Sequence, residues 1–113
     1  MHEVSLAEEI LAIIERSQQE EPFTRVRTLR ITIGDLSGVE QEALAFALTH
    51  MGPGTPIEGC ELLFERVQGS GFCPACSKRV PLEFPQSPCI DCGHAPLEEI
   101  LGTELRIRDF EVV

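Results

Sequence analysis

The stretch Gly71–Gly93, "GFCPACSKRVPLEFPQSPCIDCG", carries two C-x-x-C pairs, Cys73/Cys76 and Cys89/Cys92, separated by twelve residues. Each pair presents two thiolates from one tight turn, and two such turns close a tetrahedron around Zn²⁺. The separation suits a short hairpin, slightly tighter than the commonest ribbon spacing. Around the pairs, residues 69–102 are rich in Pro, Gly and Cys and hold too few apolar residues for a hydrophobic core of their own. Such a segment needs a metal to fold. A single C-x-x-C would also suit dithiol redox chemistry, and two pairs could form two disulfides. Iron takes the same four thiolates in the same geometry. Zinc is the default, and four protein ligands leave no position for water, so the expected site is structural.

The fifth cysteine, Cys60, stands outside the pattern at the start of an expected strand and reads as a buried, inert thiol. An odd cysteine count fits a secreted disulfide framework poorly and a metal site in a reducing cytoplasm well. The first residues lack a basic segment followed by an apolar one, so no signal peptide is expected. No apolar run approaches the roughly 20 residues of a membrane span.

Outward from the cysteines, the chain reads as helix–strand–helix–strand, the insert, then a last strand. "SLAE" at Ser5–Glu8 has the form of a capping box, with Leu6, Ile10, Ile13 and Ile14 at helical spacing behind it. This predicts a helix from Leu6 to Gln19, stopped before Pro22. "TRVRTLRITIG" (Thr24–Gly34) alternates Leu29, Ile31 and Ile33 with Thr28, Arg30 and Thr32, a half-buried strand. "SGVE" at Ser37–Glu40 repeats the capping box ahead of Val39, Ala43, Phe46 and Ala47, predicting a second helix that ends near His50. Cys60–Val67 and Glu104–Val113 complete the expected strands.

The fold class is therefore α/β, two helices packed on a small three-stranded sheet with an inserted zinc-ribbon-like domain built on the four paired cysteines. Residues 1–68 plus 103–113 form the first domain and 69–102 the insert. With nine Lys plus Arg against nineteen Asp plus Glu, the formal charge is −10, which opposes nonspecific binding to nucleic acid or anionic membrane. Within the insert, Lys78 and Arg79 face Glu83, Asp91 and Glu98, so a nucleic-acid ribbon is disfavoured. Tyr and Trp are absent, leaving no stacking platform for bases. The closed thiolate set and the lack of a His/Glu cluster argue against an enzyme.

At the other end stands "MHE". A free amino group on Met1, the His2 amide nitrogen and the His2 imidazole can share one metal through fused chelate rings, with Glu3 adding its amide or its carboxylate. Nitrogen donors in a plane suit Ni²⁺ or Cu²⁺. His50, in the last turn of the second helix, complements the helix dipole. His94, two residues past Cys92, either decorates its turn or binds a second metal.

"MHEVSLAEEI" at the start, "ITIGDLSGVE" after the first strand, the two cysteine pairs and "GTELRIRDFEVV" at the end occur here in one order. Together they closely resemble the HypA/HybF family of hydrogenase nickel-incorporation proteins over essentially the whole chain. The resemblance implies a nickel-binding α/β domain with an inserted zinc domain. It implies a cytoplasmic, non-enzymatic metallochaperone that delivers Ni²⁺ to the [NiFe]-hydrogenase large-subunit precursor with the GTPase of the same maturation pathway. The family's nickel histidine matches His2, with Glu3 beside it, and its zinc ligands match Cys73, Cys76, Cys89 and Cys92. An acid at the start of the second helix, Glu40 here, is a further family position, although capping already accounts for it. Where some relatives carry histidines beside the cysteine pairs, this chain has Lys78 and Gly93, and only His94 remains nearby. The alternative reading is a structural zinc-ribbon adaptor for another protein, with no nickel delivery.

Overall fold

In the computed structural model, which describes residues 2–113, the chain forms two helices and two three-stranded sheets. Their order is α1 (His2–Glu20), β1 (Val26–Gly34), α2 (Gln41–Met51), β2 (Glu61–Val67), β3 (Ser70–Cys73), β4 (Lys78–Pro81), β5 (Glu98–Leu101) and β6 (Leu105–Val112). The first sheet has the order β2-β1-β6, and the second, smaller one β4-β3-β5. The two helices, the first sheet and the clustered cysteines agree with the expected α/β class.

The chain divides into two compact units. One comprises the chain up to Ile31, with Val39–Phe64 and Ile107–Val113; the other comprises Thr32–Gly38 and Glu65–Arg106. In the first, α1 and α2 pack together. Ala7, Ile10 and Ile14 recur along one stripe of α1 and are buried, as are Leu44, Ala47 and Leu48 of α2 and Val26, Leu29 and Ile31 of β1. Chain reversal beyond α1 is set by Pro22, which disfavours helical geometry in the residue before it. The Gln18 side-chain amide then donates to the Phe23 carbonyl at 2.8 Å, holding the turn.

Several local expectations are corrected. α1 begins at His2, one turn before the Ser5–Glu8 box, so Ser5 lies inside the helix and caps nothing. α2 begins at Gln41 instead of following Ser37: Glu40 is the N-cap, extended at φ −89° and ψ 114°, and its carboxylate accepts from the Ala43 N–H at 2.6 Å. Val39 is buried ahead of the helix, while Phe46, expected on the apolar face, is 72% exposed and stacks on the His50 ring. Ile13 is also partly exposed, at 44%. β1 is not half-buried, because Thr28 and Thr32 are buried along with its apolar residues. A central strand, flanked on both edges, has its polar face roofed by neighbouring side chains. Arg30 there pairs with Asp109 at 2.8 Å, and the Thr32 hydroxyl donates to Glu65 at 3.4 Å.

In the second unit β3 pairs antiparallel with both β4 and β5. Cys73, Val80, Leu82, Cys89 and Leu97 form its small core, with Leu36, Cys76 and Ile100 packed against it. Two of the five core residues are cysteines, so metal chemistry and packing share the same interior. The turn after β1 also belongs to this unit. Its Asp35 and Leu36 amides donate to the Val67 and Gly102 carbonyls at 2.8 and 2.7 Å. A Cβ on Gly34 would lie 2.1 Å from the Gly102 carbonyl oxygen, so only glycine permits this approach.

Candidate metal centres and family

Each cysteine pair occupies a turn of its own. Cys73 ends β3 and Lys78 opens β4, so the first pair spans the connection of that hairpin. The Cys76 N–H donates to the Cys73 sulfur at 3.4 Å. The second pair lies on the turn Cys89–Gly93, closed by a hydrogen bond from the Gly93 N–H to the Cys89 carbonyl at 2.8 Å. Gly93 has φ +78°, which favours glycine there. The Cys89 N–H donates to the His94 carbonyl at 2.9 Å, so His94 serves the turn through its backbone.

These turns face each other. The Cys73 and Cys92 sulfurs are 3.6 Å apart, those of Cys76 and Cys89 3.9 Å, and all four lie within 4.8 Å of one another. A tetrahedral ion with metal–sulfur bonds of the zinc type needs sulfurs about 3.8 Å apart. Disulfide bonding needs roughly 2.05 Å, and all five cysteines are free thiols. The set therefore fits a tetrahedral metal such as zinc. Cys73 and Cys89 are buried, Cys76 is half-buried and Cys92 is exposed.

Crowded thiols without a cation cannot all ionise. The Cys92 and Asp91 amides pull the Cys89 thiol down to about 7, favouring one thiolate. Cys76 is pushed up to about 12 by hydrogen bonding with the Cys92 side chain, by desolvation and by Cys73 and Cys89. A divalent cation held by the four sulfurs would reverse that opposition and favour their thiolate forms. Outside the tetrad, Lys78 Nζ reaches Asp91 at 2.6 Å, pairing a residue beside one turn with a residue of the other. No spacing rule points to that pair.

Among the described residues, the four cysteines are the only group of three or more candidate ligands brought together. His94 is exposed and outside the group. Cys60 is half-buried just before β2, its thiol pushed up by desolvation, and is likewise apart.

At the start of α1, the expected ligand Met1 lies outside the described residues. His2 is 61% exposed, and its Nδ1 stands 3.8 Å from Glu3 Oε2. That same oxygen accepts the Glu40 N–H at 3.2 Å, which holds the Glu3 carboxyl below the ordinary carboxylate range. The contact between the first turn of α1 and the start of α2 could not be read from spacing, because it joins residues 37 apart. Glu40 itself is engaged at Ala43. Its carboxylate forms no cluster with His2 and Glu3 by the geometry that gathers the cysteines.

Known proteins resemble this chain in sequence and in fold. Residues 1–112 match the family HypA, hydrogenase/urease nickel incorporation, metallochaperone. The hydrogenase maturation factor HypA of Polaromonas naphthalenivorans is 46% identical over 112 residues, covering 99% of this chain and 97% of that one. Its counterpart from Methylocella silvestris is 41% identical, with 99% of each chain covered. The solution structure of the Ni metallochaperone HypA from Helicobacter pylori superposes with a TM-score of 0.66 at 16% identity, over 98% of this chain and 97% of that chain, which establishes the shared fold. This chain belongs to the HypA family of nickel-incorporation metallochaperones, maturation factors and not enzymes.

Proposed function

We propose that the chain takes up Ni²⁺ at its amino terminus and passes it to the [NiFe]-hydrogenase large-subunit precursor, working in the cytoplasm with the GTPase of that pathway. In this reading residues 1–68 plus 103–113 carry the nickel function, and residues 69–102 hold one structural Zn²⁺ on Cys73, Cys76, Cys89 and Cys92. The nickel ligands are the Met1 amino group, the His2 amide and imidazole, and Glu3. Glu40 and His94 are secondary candidates, since one caps α2 and the other lies on an exposed turn.

The observation that carries the reading is the start of α1 at His2. The first N–H groups of a helix have no intrahelical acceptor. Replacing the amide protons of His2 and Glu3 by a metal therefore breaks no helical hydrogen bond. His2 Nδ1, the ring nitrogen nearer its own backbone, can close the chelate, and the ring is open to solvent. A cation at this end opposes the helix dipole, but two deprotonated amides cancel the charge of Ni²⁺. Uptake then releases protons and weakens as pH falls, which suits delivery.

Nickel titration of the untagged chain tests this. Wild-type protein is expected to bind one Ni²⁺, and His2→Ala to lose tight binding while keeping its zinc content. A His2→Ala protein with undiminished nickel affinity would falsify the N-terminal assignment. A wild-type chain that takes no nickel would leave the adaptor reading.

A further inference from the structure

The far end of α1, roughly 25 Å along the helix from His2, borders an open cavity of about 330 Å³. Ser17, Glu20, Glu21, Phe23 and Phe110 are among its lining residues, all within the first compact unit. Two kinds of group meet there. Phe23 and Phe110 are half-buried and tilted at 56°, with ring centroids 6.1 Å apart. Glu20 and Glu21 are exposed, and among the described residues neither carboxylate forms an ion pair. The last turn of α1 carries no basic residue, although a cation there would complement the negative end of the helix dipole.

These features select one kind of occupant. A purely apolar ligand would leave two carboxylates facing it. A metal ion would ignore the rings, and no third ligating side chain joins the two glutamates. A guanidinium uses every group present: it stacks on aromatic faces, gives its N–H donors to carboxylates, and packs its stem on apolar surface. The volume lies at the small end of the about 300–1,000 Å³ of ligand pockets, which suits one side chain better than a cofactor. We propose that this cavity receives an arginine side chain presented by a partner protein. The proposal is independent of the nickel reading above.

The probe is an acetylated and amidated Gly-Arg-Gly peptide, titrated into the zinc-loaded full chain and followed by NMR. Saturable shifts are expected at the Phe23 and Phe110 rings and at the Glu20 and Glu21 amides. The same peptide with citrulline, a neutral urea of like shape, should bind about tenfold more weakly. Free arginine should also bind more weakly, because its own carboxylate is repelled by the glutamates. Glu20→Gln combined with Glu21→Gln keeps the shape of both exposed side chains and should weaken the arginine peptide about fivefold or more. Phe110→Leu should weaken it about threefold. Where Phe110→Leu lowers amide protection in α1, the double glutamine variant decides alone. Equal affinity for the citrulline peptide, undiminished affinity in the double variant, or no saturable shift would overturn the proposal. Tighter binding of free arginine would overturn the protein-borne side chain as the occupant.

Discussion

The cysteine turns and the first turn of α1 hold their candidate ligands by opposite means. Cys73 and Cys89 are part of a core, their sulfurs approached by backbone N–H groups and by the sulfurs of the facing turn. Four ligands drawn from two turns are useful only when both turns are placed, so metal and fold stand or fall together. His2 needs no such placement. Its candidate donors are consecutive in the chain, and its imidazole approaches Glu3 at 3.8 Å. On the proposed function, the difference separates a metal that is kept from a metal that is handed on. A closed tetrahedron leaves no route for ligand exchange, while an exposed chelate can be opened one donor at a time.

The largest effect should come from breaking the closed site. Structural zinc in such loops contributes about 10–16 kcal/mol near neutral pH. Cys89→Ser, or a strong chelator, should release the metal and remove amide protection throughout residues 70–101. Protection in α1 and α2 should persist, and hydrogen exchange combined with metal analysis checks both. Uniform loss across the chain would show that the cysteine unit supports the whole fold. Next is the core of the other unit. Leu29 is fully buried in the central strand, and Leu29→Ala should lower stability by about 2–5 kcal/mol in denaturant titration. Zinc per chain at low denaturant should stay at one; its loss would mean the two regions are less separable than their ligand chemistry suggests. The smallest effect belongs to the ion pair between the cysteine turns. Lys78 and Asp91 are each about half exposed, so Lys78→Ala should cost less than about 1 kcal/mol and leave metal content unchanged. A measurable fall in metal affinity would instead make the pair part of the site.

Spacing in the chain was enough for the elements whose cause is local. β1, β2 and β6 lie within a residue or two of their expected spans, because alternation of apolar and polar residues marks strand geometry even where, as in β1, both faces are covered. The cysteine tetrad was legible for a similar reason: two residues between ligands is what one turn needs to aim both sulfurs at one ion. The strands of the cysteine unit were not legible, since β3, β4 and β5 are four residues each, too short for periodicity to show.

The cap of α2 is local, and one tertiary contact adds to it. Ser5 and Ser37 offered plausible caps, but a cap is chosen by which acceptor the folded chain brings to the free amides. Glu40 reaches Ala43, and Glu3 arrives at Glu40 from 37 residues away. The same holds for Phe46, apolar and at helical spacing yet left 72% exposed, and for Thr28 and Thr32, polar yet buried. By itself the sequence determined which residues can bind a metal and which faces can be buried, because composition and period are properties of the chain. Whether a distant acceptor joins a cap, and which side chains of an amphipathic face reach the interior, depended on neighbours that only the folded chain supplies.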